Sequence, residues 1–315
     1  MSLVVAFDEI TPDKIRKNPG GPDRPASTNY PFFRSTADAP DGPMAFLAQY
    51  PPGDRSCTHF HQVDQFQILV QGGGEFGRHQ VAPYYVHFAR AFTPYGPLHA
   101  DDTAGWTFLT LRSRYDPGAQ RLPGALPVLK AATRTPWQVT TNATFPDAVS
   151  GVNVREISDI SDEQGLFVKS LTMAPGARIA APSPAGGDGQ FVVVVKGSMM
   201  NGETERRALA VSFVKPDEEA LQIEAGPEGL EALILNFPRV APRAAEVETK
   251  RAAGFRKWQC LLCAFYYDEE KGLPEDGIPA GTRWADVPDS WTCPDCAAKK
   301  NEFQMCEVQG LGTRD

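Results

Sequence analysis

The tetrapeptide CLLC, residues 260 to 263, is followed after 29 residues by CPDC, residues 293 to 296. Nothing else in the chain constrains its fold as tightly. Paired CxxC knuckles bring four thiolates together in a tetrahedron around one iron or zinc ion. Chance is a poor explanation for four cysteines so spaced, and the spacing reads as metal ligation rather than as disulfides. Cys260, Cys263, Cys293 and Cys296 are therefore the first set of site residues.

The other metal-binding residue types lie elsewhere. All five histidines, His59, His61, His79, His87 and His99, fall between residues 59 and 99, while four of the six cysteines fall between 260 and 296. That segregation points to two sites of different chemistry. A chain of 315 residues suggests two or three domains. Twenty-eight glycines and 28 prolines favour turns and short strands over long helices. The net charge is −8, so there is no basic excess to hold nucleic acid. The opening MSLVVAFDEITPDK has only a short apolar run before its acids, and no run of 18 apolar residues occurs anywhere. The expectation is a cytoplasmic protein with reduced thiols and no membrane partner.

The cysteine segment resembles a rubredoxin over about residues 256 to 304. YYDEEKG, GIPAGTRWADVPDSWTCPDC and KKNEF stand in that family's order and spacing. By this resemblance the four cysteines hold one iron that carries one electron, with zinc a substitute in recombinant protein. Trp258, Phe265, Tyr267, Trp284, Trp291 and Phe303 would form its aromatic core. A module of about 50 residues needs such a staple, because its core alone is marginal. The family usually has glycine after each knuckle; here Ala264 and Ala297 stand there. A Cβ in the left-handed conformation costs on the order of 1 kcal/mol. Residues 255 to 310 carry ten acids and six bases, a face suited to a basic rubredoxin or ferredoxin reductase. Cys306 lies outside the knuckles and reads as a bystander.

Between residues 40 and 115 short strand candidates alternate with turns, among them PMAFLAQY, QFQILVQG and WTFLTLRS. This spacing suggests a sandwich or barrel. Gly53 is followed by His59, His61, Gln65 and Gly72, and later by PYGPLH, which ends in His99. The pattern resembles the two motifs of the cupin family, a double-stranded β-helix of the jelly-roll class. By resemblance His59, His61 and His99 are metal ligands, and Gln65 occupies the slot where the family has glutamate. Iron(II) is the preferred cation, with manganese, nickel, copper or zinc as alternatives. Gln67 and Leu69 share the parity of Gln65 and should face the same interior, which makes Gln65 and Gln67 the candidate catalytic residues. Cys57 shares the parity of His59 and His61. His79 and His87 fit neither motif and read as surface or packing residues. Tyr84, Tyr85, Phe88 and Phe92 read as core, and Arg90 as a surface arginine or an anion contact.

A second half repeats the first weakly. Gly176, Gln190 and Gly197 align with Gly53, Gln65 and Gly72, but Pro182 and Pro184 replace the two histidines and Leu221 falls in the His99 slot. The expected fold is mainly β, with two cupin jelly-roll domains and a small rubredoxin-like module. The expected divisions are a metal-binding cupin over 1–125, a cupin without ligands over 126–240, a linker over 241–255 and the rubredoxin-like module over 256–310. A short helix is expected in DEITPDKIRKNPGG. Whether the chain forms a homodimer stays open, since two fused cupins imitate one.

A one-electron carrier tethered to a three-histidine pocket makes sense if the pocket metal cycles. The reading is a non-haem oxygenase or oxidase acting on a small organic molecule with O2. Its rivals are a redox-silent isomerase, lyase or decarboxylase with a structural four-cysteine site, and a non-catalytic redox sensor. Freshly purified protein is expected to be red and to bleach on reduction. Colourless protein containing only zinc would rule out the electron-transfer role.

Overall fold

The computed structural model describes residues 3–21, 25–132, 134–147, 150–239, 254–263 and 265–306. Most of the expected linker and Ala264 lie outside them. The strand Gln65–Gly72 sits within a seven-stranded antiparallel sheet. The order is Gln138–Asn142, Tyr85–Ala89, Gln65–Gly72, Trp106–Arg112, Met44–Tyr50, Ser27–Phe33, Arg16–Asn18. A smaller sheet of Arg55–Ser56, Leu98–Ala100, Gly74–Phe76 and His79–Val81 faces it. Leu69, Trp106 and Phe108 from the large sheet pack against Phe76, Val81 and Leu98 from the small one. The strand His59–Phe60 pairs separately with Gln120–Arg121.

The second half is an eight-stranded sheet dominated by Gly187–Asn201 and Gln222–Pro238. Its interior is apolar, filled by Leu171, Val192, Val194, Met199, Ile223 and Ile234. The aligned glycines have the same physical cause in both halves. Gly72 has φ +81°, and a Cβ there would meet the Gly105 carbonyl oxygen at 2.0 Å. Gly197 has φ +69°, and its Cβ would meet the Gly229 oxygen at 2.2 Å. Gly197 borders a register shift and Gly72 follows one between Leu69 and Gln71, and each passes a carbonyl too closely for a side chain.

Alternation along the strands builds the joint between the halves. Phe66 and Ile68 point away from the first interior and meet Phe191, Val193, Leu233, Leu235 and Phe237 in one shared core. Phe66 packs edge-on against Phe237 at 4.9 Å between ring centres. Burying a phenylalanine of this kind is worth roughly 2–3 kcal/mol. Each half also lends the other a strand. Leu3–Val5 pairs with Val211–Val214 of the second sheet, and Gln138–Asn142 pairs with Tyr85–Ala89 of the first. A division near residue 125 thus separates the chain but not the sheets. The expected N-terminal helix is instead two 3-10 turns, Phe7–Glu9 and Pro12–Lys14, because Pro12 supplies no N–H to continue the first.

The cysteine module has a three-stranded sheet, with Lys257–Cys260 between Tyr266–Asp268 and Phe303–Cys306. Trp258 stacks on Trp284 at 5.2 Å, and Tyr267, Trp291 and Phe303 complete the aromatic core. Beneath it lies a buried carboxylate. Glu269 accepts hydrogen bonds from the Arg256 and Trp284 backbone N–H groups, from Trp258 Nε1 and from Arg283 Nη1, all at 2.9–3.0 Å. Burial pushes its carboxyl up, yet these donors outweigh burial and hold it below its ordinary value.

The module docks on the first barrel. Leu261 and Leu262, inside the first knuckle, join a cluster with Phe60, Leu122 and Leu129. Gln259 Nε2 donates to the Pro94 carbonyl at 2.6 Å, and Gln138 Nε2 donates to the Tyr266 hydroxyl at 2.6 Å. Arg78 pairs with Asp295 and lies over the Phe265 ring.

Replacing Glu269 by Ala strands four donors, and is expected to destabilise the cysteine module by on the order of 3 kcal/mol. Denaturant unfolding followed by tryptophan fluorescence measures this. Because the Glu269 carboxyl is held low, its contribution is present above the unfolded value and is lost as pH falls; the variant should show a shallower acid dependence.

Candidate functional site

Two sites take shape. In the first, Cys260, Cys263, Cys293 and Cys296 place their sulfurs within 4.8 Å of one another. The Cys260–Cys296 and Cys263–Cys293 separations are both 3.5 Å. A tetrahedron with metal–sulfur bonds of about 2.3 Å has edges of about 3.8 Å, so the cage fits one iron with little adjustment. The Leu262 backbone N–H points at Cys260 Sγ at 3.4 Å, a contact that tunes charge on the sulfur. Ala297 does adopt a left-handed φ of +59°, so the second knuckle keeps the family's backbone despite its Cβ.

The second site is a cavity of about 110 Å³ in the first barrel. Its lining includes His59, His61, Gln67, Tyr95, Arg112 and Arg121. His59 and His61 follow one another along one short stretch of chain, with ring centres 5.6 Å apart at 84°. His59 Nδ1 is 2.9 Å from the Cys57 carbonyl oxygen, and His61 Nδ1 is 2.7 Å from Asp116 Oδ2. Both acceptors require N–H at Nδ1, which assigns the tautomer and leaves each Nε2 as a lone-pair donor. Ligating imidazoles are held this way. Burial pushes His59 down to about 3 and His61 down to about 4, so both rings are neutral near pH 7.

Gln65 and His99 are placed differently. Gln65 is fully buried behind the cavity and accepts from Arg112 Nη2 at 2.9 Å and Arg112 Nε at 3.2 Å. Its Nε2 donates to the Tyr95 hydroxyl at 2.6 Å. Arg112 Nη2 also lies 3.3 Å from His61 Nε2, and Arg112 Nη1 lies 3.4 Å from Asp116 Oδ2. His99 is not brought to the other two histidines. Leu98 and Ala100 turn inward from its strand, so His99 turns outward, toward Asp102 at 3.2 Å and Glu75 at 4.0 Å. Among the described residues, the one group of three or more converging histidine, cysteine or acidic ligand atoms is the four-cysteine cage. The two neutral imidazoles are nitrogen donors of the type divalent cations take, and Arg112 Nη2 stands 3.3 Å from the His61 Nε2. Gln65 and His99, as arranged, supply neither a third nor a fourth donor.

The remaining candidates sort themselves by parity and burial. Gln67 lines the cavity, as its parity requires. Cys57 does not; the strand breaks between Ser56 and His59, so alternation is not carried across, and Cys57 lines an outer depression with Glu75 and His99. His79 is exposed, whereas His87 is fully buried between Phe76 and Tyr95. Phe88 belongs to the shared core, and Arg90 lies over Trp137, away from the cavity. Tyr95 lies within the PYGPLH motif without being singled out by it, and three further residues of the cavity and its surround had no motif to announce them: Arg112, Asp116 and Arg121. Only Arg112 carried a usable signal, since its parity on Trp106–Arg112 matches that of inward-facing Thr110 and Phe108.

Fold and donors together define the class, a double cupin-type β protein joined to a four-cysteine iron module. The rubredoxin family model matches residues 257–303. Rubredoxin-2 of Pseudomonas aeruginosa is 62% identical over 53 residues, 17% of this chain and 96% of that protein. The rubredoxin of Acinetobacter baylyi is 55% identical over 53 residues, again 17% of this chain and 98% of its own. The C-terminal module is therefore a rubredoxin domain, whose four cysteines bind iron. The rest has the cupin fold. Pirin YhhW of Escherichia coli, solved with nickel(II), matches with a TM-score of 0.51 at 12% identity, over 76% of this chain and all of that one. A Nostoc punctiforme protein proposed to be a dioxygenase matches with a TM-score of 0.50 at 11% identity, over 77% and 88% of the two chains. Among the described residues no helix is long and apolar enough to cross a membrane.

His61→Ala is expected to abolish metal uptake by the barrel and leave the rubredoxin iron in place, while His99→Ala leaves both. Metal analysis of the two variants decides this. Loss of barrel metal in His99→Ala would instead make that ring a third ligand.

Proposed function

We propose that the chain is an oxidoreductase of the oxygenase or oxidase type, in which the rubredoxin iron supplies electrons to a small-molecule site in the first barrel. The observation that carries this reading is where the module docks. Phe60, the residue between His59 and His61, packs against Leu261 of the first cysteine knuckle. Gln259, the neighbour of Cys260, holds the Pro94 carbonyl, and the next residue, Tyr95, exchanges two backbone hydrogen bonds with His59. A short packed and hydrogen-bonded path thus joins the four-cysteine cage to the cavity wall. A tethered structural knuckle would have no need of that address.

Each residue has a task in this reading. His59 and His61 hold a divalent cation, iron by preference, which supplies a Lewis acid and an electron acceptor when bound. Asp116 and the Cys57 carbonyl keep both rings in the ligating tautomer. Gln67 and Tyr95 present polar groups to the substrate. Phe46, Leu98, Trp106 and Phe108 give the cavity apolar walls and limit the entry of water. The acidic module also offers a surface to an external reductase, which refills the iron after each one-electron delivery.

Rapid mixing tests the coupling. Protein with its iron reduced is mixed with oxygenated buffer, and the return of the red colour is followed. The native chain is expected to reoxidise at least about tenfold faster than the His59→Ala, His61→Ala double variant, whose four-cysteine cage is untouched. Equal rates would overturn electron delivery to the barrel.

A further inference from the structure

We propose that the first-barrel cavity recognises a small organic carboxylate, with Arg112 and Arg121 as its anion contacts. This names a substrate class for the site just described and rests on reading that cavity as the substrate site. Arg112 is 4% exposed. A buried guanidinium is costly unless charge and hydrogen bonds compensate it. Among the described residues its carboxylate partner is Asp116, and that group is shared. Asp116 also receives His61 Nδ1 at 2.7 Å, the Gln62 N–H at 3.1 Å and the Gly118 N–H at 2.9 Å. Its approach to Arg112 is only 3.4 Å.

Arg121 adds a second positive group. It sits opposite His59 in the strand pair and lines the same cavity. Its buried Nε has no hydrogen-bond partner among the described residues, and its Nη1 reaches only the Ala119 carbonyl at 3.4 Å. Arg55 lines the cavity too, against Asp54 as the acid in the described lining. His59 and His61 are neutral and add no charge. Even with Asp116 counted, three arginines face two carboxylates. The opposite walls are apolar, so the fitting ligand has one anionic end and one apolar end.

Size and donor type narrow the class further. Sites for drug-sized ligands span roughly 300–1,000 Å³. A cavity of about 110 Å³ admits only a few heavy atoms beyond the acid group. Arg121 offers a planar guanidinium fork, which matches a carboxylate in two-point geometry, while Arg112, whose Nε and Nη2 donate to Gln65 Oε1, adds charge and its Nη1.

Calorimetry and thermal denaturation on the full chain, with the barrel metal removed by a mild chelator, test the proposal. The probes are acetate and propionate, set against acetamide, propionamide and inorganic phosphate. The acids are expected to bind about tenfold or more tightly than the amides and to raise the melting temperature. Arg121→Gln lies outside the Asp116 cluster and should fold; it is expected to lose about tenfold in acid binding, as is Arg112→Gln. Arg114→Gln, whose partner is Asp188 outside the cavity, should bind as the native chain does. Amides binding as well as acids, phosphate binding as tightly as either acid, or unchanged binding in Arg121→Gln would each overturn the proposal. The measurement needs no barrel metal and no oxygen. Intact acid binding with no barrel-dependent reoxidation would remove the oxygenase reading alone.

Discussion

One strand, Gln65–Gly72, has to satisfy two interiors at once, and much of the molecule is arranged around that demand. Its even-numbered residues, Phe66 and Ile68, belong to the core shared with the second half. Its odd-numbered residues, Gln65, Gln67 and Leu69, face the first barrel. A slip of one residue would exchange a glutamine row for a phenylalanine row on both sides. The register shift between Leu69 and Gln71 fixes where the alternation stops, and beyond it only a residue without a Cβ passes the Gly105 carbonyl at Gly72.

That two-sided strand carries the buried polar row of Gln65 and Gln67 into the first barrel. The second half shows the same fold solved without chemistry. Gln190 stands where Gln65 stands, equally buried, but its strand neighbour is Asn236, and the two amides hydrogen-bond each other. In the first half, continuing the register from Leu111 opposite Phe66 sets Arg112 opposite Gln65. An arginine there brings in a charge. Asp116 compensates it, and the same carboxylate orients the neutral His61 ring. The two barrels thus differ at this level by an amide pair in one and an amide–guanidinium pair in the other.

Much of this is legible in the chain. The four cysteines announce their cage, and the glycine and histidine spacings announce the barrel, because both depend on local geometry that sequence distance preserves. The parity of Gln67 is legible for the same reason. His99 departs from its expected place because motif spacing gives a position on a strand and not a face; its inward neighbours Leu98 and Ala100 decide that. Cys57 departs because a break in the strand resets alternation. Asp116 and Arg121 lie 51 and 56 residues beyond Gln65 and reach the cavity through tertiary packing, which no local pattern records, whereas Arg112 is given away only by its strand parity.

The exchanged strands have a consequence for the history of any shortened form of this chain. Leu3–Val5 and Gln138–Asn142 each complete a sheet whose other strands come from the opposite half. A fragment holding only one half would carry an open edge with a row of unanswered N–H and C=O groups. Such an edge is completed most readily by the same strand from a second molecule, which is the geometry of domain swapping. The two halves are therefore a single inheritable unit, and separating them leads to mutual aggregation before it leads to two working barrels.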